Sequence, residues 1–371
     1  MVVTFPHMGN TAIVVKTLFD TLNVDFIIPP RISKKTLELG TRCSPELACL
    51  PLKINLGNFI ESIEKGADTI LMTGGCGPCR FGYYAEIQRE ILKDLGYNVD
   101  IFALDVPKSD YKEFVRRVKK LIGNNSMWKA VKAVQNATKV SIELDKLDAL
   151  CNKIRPREVV KGKTDWIMKK FYSSVTQVRG KERILELIKK TKNDLEDIEI
   201  DSTIKPLKIG IVGEIYTVIE PYANLNIEMM LGNMGIEVER SLTVSNWIVE
   251  HMLKPILHLK KNRPYEKAAE PYLNTMIGGH AQETIGNSVL YAQKGYDGII
   301  QLYPLTCMPE IVAQCILPTI SQDLNIPILT LIIDELTGEA GYHTRIEAFV
   351  DMLQRRKERM ISFNEYVLSG N

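Results

Sequence analysis

The sequence lacks the features that mark several common classes of protein. Its 47 basic and 45 acidic residues nearly cancel, giving a formal net charge of +2, so no strong field of one sign attracts nucleic acid or an anionic membrane. No stretch reaches the ~18 consecutive apolar residues of a membrane helix. The opening MVVTFPHMGN is typical of a strand rather than a signal peptide. We therefore expect a cytoplasmic protein that binds neither nucleic acid nor membranes.

Motifs for nucleotide hydrolysis and for common hydrolytic sites are also missing. The chain has neither a GxxxxGKS nor a GxxxxGKT loop, nor the acidic and glycine phosphate motif of actin-like ATPases. Its glycine-rich segments GHAQETIGNS and GGCGPCRFG lack the lysine and hydroxyl residue that would hold phosphate and Mg²⁺. His-Glu-x-x-His and a Ser-His-Asp order are absent as well. The protein is therefore not expected to be an ATPase.

What is present is an alternation of short apolar runs with helical patterns. In the N-terminal part the runs are MVVTFP, DFIIPP, DTILMT and VDIFAL, and in the C-terminal part they are KIGIVG, EVERSLTV, GIIQLYPL and IPILTLIID. Such alternation predicts βαβ units and parallel sheets covered by helices on both faces. Between the two parts the strand signals fade and the charge spacing becomes helical. We predict an α/β fold of two Rossmann-like, doubly wound domains at 1–110 and 206–371, joined by a helical segment at 111–205.

Cysteines follow the ends of predicted strands in both domains. Three pairs stand out, Cys43 with Cys49, Cys76 with Cys79, and Cys307 with Cys315. Ligands of open parallel sheets bind beyond the carboxyl ends of the strands, so a site is expected in the cleft between the domains. Met308-Pro309 predicts that a helix starts at Cys307, and a helix N-terminus favours a thiolate.

Several chemistries fit thiols in a reducing compartment. A CxxC can be a redox dithiol or half of a zinc site, although no His-x-x-x-His and no second CxxC completes a zinc pattern. Single cysteines beside leucines are often inert packing, which is our interpretation of Cys151. An iron–sulfur cluster accepts cysteines far apart in sequence. Six thiols fit two cubanes that each leave one iron without a cysteine, or one cubane with bystander thiols.

Several segments resemble known iron–sulfur enzymes. ELACLPLKINLGNFIESIEKGADTI resembles acyl-CoA dehydratase activase-related proteins, whereas GYDGIIQLYPLTCMPE and IPILTLIIDELTGEAGYHTRIEAFVDML resemble 2-hydroxyacyl-CoA dehydratase subunits and double-cubane cluster proteins. The resemblance implies two Rossmann-like domains around a cluster that is reduced by a separate ATP-hydrolysing iron–sulfur activator. Dehydratase subunits offer three cysteines to one [4Fe–4S] cubane, whereas double-cubane proteins hold an [8Fe–9S] cluster through six.

The six-cysteine count favours the double-cubane type. The metal ligands carried over on this basis are Cys43, Cys49, Cys76, Cys79, Cys307 and Cys315. The resemblance further implies low-potential reduction of a small substrate, and a homodimer or a heterodimer with a related subunit. A dehydratase-like subunit with one [4Fe–4S] cluster stays open as an alternative, as does a non-catalytic role in electron transfer or cluster maturation.

Charged residues near the cysteines are candidates for supporting roles. Lys53 and Arg80 could offset an anionic cofactor, or form ordinary surface salt bridges. His280 could donate a proton or cap a loop. Glu214, Glu335 and Glu339 follow predicted strands, and the sequence assigns them no role.

Overall fold

Two parallel sheets organise the computed structural model, which describes residues 1–73, 79–104, 111–254 and 263–368. The first sheet has the order β1-β2-β3 and the second has the order β5-β4-β6-β7. Every strand pair is parallel, with Ile70 beside Ile101 in the first sheet and Ile211 beside Ile300 in the second. This confirms the predicted α/β fold with two Rossmann-like sheets. The strands are β1 Val3–Thr4, β2 Thr69–Thr73, β3 Asp100–Leu104, β4 Lys208–Gly213, β5 Glu237–Arg240, β6 Gly298–Pro304 and β7 Ile328–Ile333.

Helices connect the strands and fill the space between the sheets. Strand β6 is buried along its whole length, as expected of a central parallel strand covered on both faces. The helices are α1 Thr11–Leu22, α2 Lys34–Cys43, α3 Leu50–Ile63, α4 Tyr84–Asp94, α5 Tyr111–Ile122, α6 Met127–Ile154, α7 Lys163–Val175, α8 Lys181–Glu196, α9 Ile215–Ile219, α10 Ile227–Asn233, α11 Val244–Trp247, α12 Pro264–Ala269, α13 Ala281–Gln293, α14 Met308–Asp323 and α15 Glu339–Leu368. A π-helical turn, Ile248–Leu253, follows α11. None of the helices in the described ranges is long and apolar enough to cross a membrane.

The helical middle of the chain shares its core with both neighbours. Val140 and Leu144 of α6 are buried against Ile13 of α1, and the same cluster includes Ile219 and Val244 from the C-terminal part. The middle segment therefore packs against helices of both neighbouring parts rather than forming an extended linker. The limits of 1–110, 111–205 and 206–371 for the three parts stay a prediction.

Two local predictions differ from the structure. DFIIPP forms only an isolated bridge between Phe26 and Val3 instead of a strand, because Pro29 and Pro30 have no N–H group to extend a ladder. Helix α2, which the hydrophobic pattern did not predict, starts at a capping box in which Ser33 and Thr36 exchange hydrogen bonds. Few of its residues are apolar, and the helix is held by tight packing on α3.

The contact between α2 and α3 depends on two glycines. A Cβ atom added to Gly40 would lie 1.7 Å from the carbonyl oxygen of Lys53, and one added to Gly57 would lie 1.9 Å from that of Thr36. The two backbones therefore touch where the helices cross. This crossing fixes the end of α2, where Cys43 lies, relative to the start of α3.

We expect Gly40→Ala to lower the free energy of unfolding by about 1–3 kcal/mol, because an overpacked core must move its backbone. Urea unfolding followed by circular dichroism measures the loss. Gly341→Ala is the matched control, since its added Cβ meets no atom within 4 Å and alanine favours a helix. A Gly40→Ala protein as stable as wild type would contradict the tight crossing.

Candidate functional site

Three cysteines lie at the N-termini of three helices. Cys49 is the N-cap of α3 and Cys307 is the N-cap of α14, each with a proline in the first turn of its helix. Cys79 precedes the 3₁₀ turn Arg80–Tyr83, which leads into α4. The first N–H groups of a helix have no partner within the helix, so each thiol lies where the backbone offers positive charge. The predicted helix start at Cys307 is confirmed.

Arg80 joins the segments that carry these cysteines. Its guanidinium donates hydrogen bonds to the carbonyl oxygen of Thr306 at 2.7 Å, to the Thr306 hydroxyl at 2.8 Å and to the carbonyl oxygen of Leu47 at 3.3 Å. The Thr306 hydroxyl also donates to the Leu47 carbonyl oxygen at 3.2 Å. Leu47 precedes Cys49 by two residues and Thr306 precedes Cys307 directly. These bonds therefore connect the thiol-bearing segments across the two domains.

Thr306 has a backbone conformation that is unusual for its residue type. Its φ angle is 69°, in the left-handed region that β-branched residues avoid. Such a conformation costs about 1–3 kcal/mol and persists only when the surroundings enforce it. The hydrogen bonds from Arg80 and to Leu47 supply that enforcement, and they direct the chain into the N-terminus of α14.

Burial shapes the acidity of all three thiols. It raises the pKa of Cys49 to about 11 and also raises the pKa of Cys79. Burial and then the negative charge of Glu214 raise the pKa of Cys307 well above its usual value, and Cys49 contributes to this shift across the domain interface. The amide groups of Leu52 and Glu310 oppose the shifts of Cys49 and Cys307. Without a cation the thiols stay protonated, whereas a bound metal would deprotonate them.

Glu214 is the acidic residue of this site. It directly follows β4 as the N-cap of α9, and its carboxylate accepts hydrogen bonds from the amides of Tyr216 and Thr217, both at 3.0 Å. Its negative charge raises the pKa of Cys49, Cys79 and Cys307. Glu214 therefore lies near enough to the cysteines of both domains to act on them, although the sequence assigned it no role.

His280 is the N-cap residue of α13 and lies close to the same carboxylate. Burial lowers its pKa, and the charge of Glu214 opposes that change. Its Nε2 atom lies 3.8 Å from a carboxylate oxygen of Glu283. The imidazole is thus largely enclosed and close enough to Glu214 to feel its charge, which is compatible with either of the roles that the sequence left open.

A buried polar chain supports helix α14 behind Cys307. Thr284 donates to the carboxylate of Glu310 at 3.0 Å, and Gln301 of β6 donates to the same carboxylate at 3.0 Å. Thr330 of β7 in turn donates to Gln301 at 3.0 Å. Burial raises the pKa of Glu310 to about 8. These bonds hold the first turn of α14 against the sheet and so fix the position of Cys307.

The hydroxyl group of Tyr84 contacts the sulfur of Cys49. Tyr84 is the first residue of α4 and is buried. Nothing in the hydrophobic pattern of the sequence distinguished this tyrosine from its exposed neighbour Tyr83. The contact follows from how α3 and α4 meet, which periodicity does not report.

Lys53, proposed from the sequence as a cofactor-binding cation, is buried at the domain interface. Its ammonium group pairs with Glu335, which follows β7, and donates to the carbonyl oxygen of Glu46 at 2.9 Å. Glu339 begins α15 and lies 3.8 Å from exposed His343. Lys53 therefore joins the two domains, and its role toward a cofactor stays a prediction.

The remaining cysteines have different surroundings. Cys43 is half-buried and packs against the same apolar cluster as Cys49. Cys315 is exposed on α14, eight residues after Cys307 and thus about 12 Å farther along the helix. Cys76 lies outside the described residues. Cys151 is buried in the core of the helical segment, in agreement with a packing role.

Among the side chains in the described ranges, no three from His, Cys, Asp and Glu form a group that could hold a metal ion. Cys76 lies outside these ranges, and this criterion describes the site of a single ion. In a cubane each cysteine binds a different iron, so cluster ligands lie farther apart than the ligands of one ion. Thiols at three helix N-termini, in segments joined by Arg80, are compatible with a cluster whose irons each take one cysteine.

His7 and Glu220 form a second contact between the domains that the sequence patterns did not reveal. His7 follows β1, and its Nδ1 atom lies 3.1 Å from a carboxylate oxygen of Glu220. That oxygen also accepts from the amide of Gly9 at 2.6 Å. A polar residue after a strand end was the available signal, and it is too common to single out His7.

The chain matches a known family over most of its length. The model of the family described as 2-hydroxyglutaryl-CoA dehydratase, D-component, matches residues 26–353. The match covers strands β2 to β7 and every cysteine of the chain. No curated protein matches the chain.

Proposed function

The chain belongs to the 2-hydroxyglutaryl-CoA dehydratase D-component family, as its resemblance predicted, and on that premise we propose that it is the iron–sulfur component of a dehydratase-type system. A separate ATP-hydrolysing iron–sulfur activator reduces it, and the reduced cluster acts on a small substrate. The cluster binds in the cleft between the two domains. Its proposed ligands are Cys43, Cys49, Cys76, Cys79, Cys307 and Cys315.

The observation that carries this proposal is that Cys49, Cys79 and Cys307 each lie at a helix N-terminus, in segments that the hydrogen bonds of Arg80 and Thr306 join across the domains. Two of these helices belong to the N-terminal domain and one belongs to the C-terminal domain. Burial disfavours the thiolate form of these cysteines, and Arg80 and the backbone amides offset it only in part. Iron would supply further positive charge, and helix amides would stabilise the sulfur ligands.

The chain's own residues give the cluster its environment. Arg80 keeps the cysteine segments together and lowers the pKa of Cys49 and Cys79, although burial outweighs it. Glu214 adds negative charge from the other domain. A low-potential cluster in this cleft would supply single electrons for reduction or radical dehydration of a thioester-type substrate. Lys53 and Glu335 hold the domains together beside it.

The number of cubanes distinguishes two versions of the proposal. Six cysteines favour a double-cubane [8Fe–9S] cluster. The exposure of Cys315 and its distance from Cys307 along α14 favour the second candidate, a dehydratase-like subunit with one [4Fe–4S] cluster.

Iron and acid-labile sulfide per chain, measured after anaerobic reconstitution, test both versions. We expect about eight irons in the wild-type chain and fewer in Cys43→Ser and Cys315→Ser if two cubanes share the six thiolates. About four irons that change little in either variant would establish the single cubane. A reconstituted chain that holds only zinc, or no metal, would exclude an iron–sulfur protein altogether.

Turnover assays separate catalysis from electron transport. The reconstituted chain, supplied with its cognate activator and ATP, should consume a 2-hydroxyacyl-CoA or another small substrate if it is catalytic. Reoxidation of the cluster without any loss of substrate would identify an electron carrier or a maturation protein. Gel filtration of the reconstituted chain, alone and with a related subunit, tests the proposed homodimer or heterodimer.

A further inference from the structure

Tyr84 is held rigidly beside one of the proposed ligands. Only 4% of its surface is exposed, and its ring packs 5.4 Å from that of Phe81, centre to centre. Its hydroxyl group contacts the sulfur of Cys49. The side chain points from the start of α4 toward the start of α3, so the contact is set by the packing of two helices.

The chemistry of the pair fixes the direction of this hydrogen bond once Cys49 binds iron. An iron-bound thiolate has no proton, so the tyrosine must be the donor. A tyrosine hydroxyl ordinarily carries its proton at neutral pH, and a hydrogen bond from a neutral donor to a charged acceptor is of the strong kind.

We propose that Tyr84 raises the reduction potential of the cluster by donating this hydrogen bond to the thiolate of Cys49. Reduction adds negative charge to the cluster and its sulfur ligands, so a donor at the sulfur stabilises the reduced state more than the oxidised state. The low dielectric of the buried site strengthens the effect. This inference rests on the proposed function, because it requires Cys49 to bind iron.

Replacing the hydroxyl alone tests the inference. Tyr84→Phe keeps the ring and removes the donor, and Tyr83→Phe makes the same change at a neighbour that is 68% exposed. Each full-length chain is reconstituted and titrated anaerobically with titanium(III) citrate, followed by visible absorption and electron paramagnetic resonance. We expect Tyr84→Phe to lower the equilibrium constant for one-electron reduction about tenfold, a shift of about 59 mV, and Tyr83→Phe to match wild type.

The outcomes distinguish the inference from the function on which it depends. An iron-free wild type overturns the proposed function, and the inference with it. Wild-type iron content together with an unchanged potential in Tyr84→Phe overturns the inference alone. If Tyr84→Phe loses iron, a chain with 3,5-difluorotyrosine at position 84 tests instead whether the hydrogen bond sets the potential. Its stronger donor should raise the potential, and a potential at or below that of wild type contradicts the proposal.

Discussion

Replacing Cys307 with serine is expected to remove most of the iron from the reconstituted chain. Cys307 is the N-cap of α14 and the thiol that the C-terminal domain brings to Cys49 and Cys79. Serine keeps the shape of the side chain, but its hydroxyl does not supply the thiolate that holds iron–sulfur clusters. Cys49→Ser should have the same effect from the N-terminal side. Iron and sulfide analysis after anaerobic reconstitution measures both losses.

A control separates loss of a ligand from loss of a thiol. Cys151→Ala removes a cysteine that is 3% exposed in the core of the helical segment, and we expect it to retain wild-type iron. Circular dichroism should show that all three variants are folded. If the Cys307→Ser chain binds as much iron as the Cys151→Ala chain, Cys307 is not a ligand.

The second large effect is expected from Arg240, which is buried among carboxylates. Its guanidinium lies 2.5 Å from Asp148, 3.2 Å from Glu228 and 4.0 Å from Asp145. These bonds join α6 to β5 and α10. Removing one partner of a buried ion pair costs about 3–5 kcal/mol because the remaining charge is left unpaired. We expect Arg240→Met to lower the free energy of unfolding by that amount at neutral pH.

The loss of stability in Arg240→Met should grow as the pH rises. Burial raises the pKa of Asp148 to about 6, although Arg240 opposes this shift, so removal of Arg240 raises it further. The folded state of the variant then binds more protons than the unfolded state above pH ~4, and its stability falls as the pH rises. Urea unfolding at pH 5 and pH 8 should show the larger deficit at pH 8.

Lys146→Met serves as the control for this prediction. Lys146 lies on the same helix as Asp145 and Asp148 and pairs with Glu143 at 2.7 Å, with 54% of its side chain exposed. An exposed pair contributes about 0–1 kcal/mol. If Arg240→Met lost no more stability than Lys146→Met, the prediction would be wrong, and the buried carboxylates would have adapted by taking up protons or water.

The sequence predicted the sheets because their strands are buried on both faces. Apolar runs such as TILMT and GIIQLYP have few alternatives to a central parallel strand, and both form one. The Phe26 segment was predicted as a strand and forms only a bridge, because two prolines stop it. Helix α2 was not predicted, and it is stabilised by backbone contact with α3 at Gly40 and Gly57. Such a contact between backbones is not visible in a sequence pattern.

The sequence could predict the part of the site that is placed by the ends of strands. Because parallel strands end at the same edge of a sheet, Cys79, Cys307 and Glu214 could be expected to converge, and the structure brings them together. The bonds of Arg80 and the hydroxyl of Tyr84 depend on how loops and helices from distant segments meet. The pairing of Lys53 with Glu335 across the domains has the same origin. Residue type and spacing contain no record of these partners.

The bond between Leu47 and Thr306 joins positions 259 residues apart, which sets an order of events during synthesis of the chain. Cys49 and Cys79 leave the ribosome early, whereas Cys307 follows only when most of the protein has been translated. On the proposed function, the complete cluster site exists only after Cys307 has been translated and the second sheet has folded. Cluster insertion would then follow the synthesis of most of the chain, and a chain cut short before Cys307 would hold only the N-terminal half of the site.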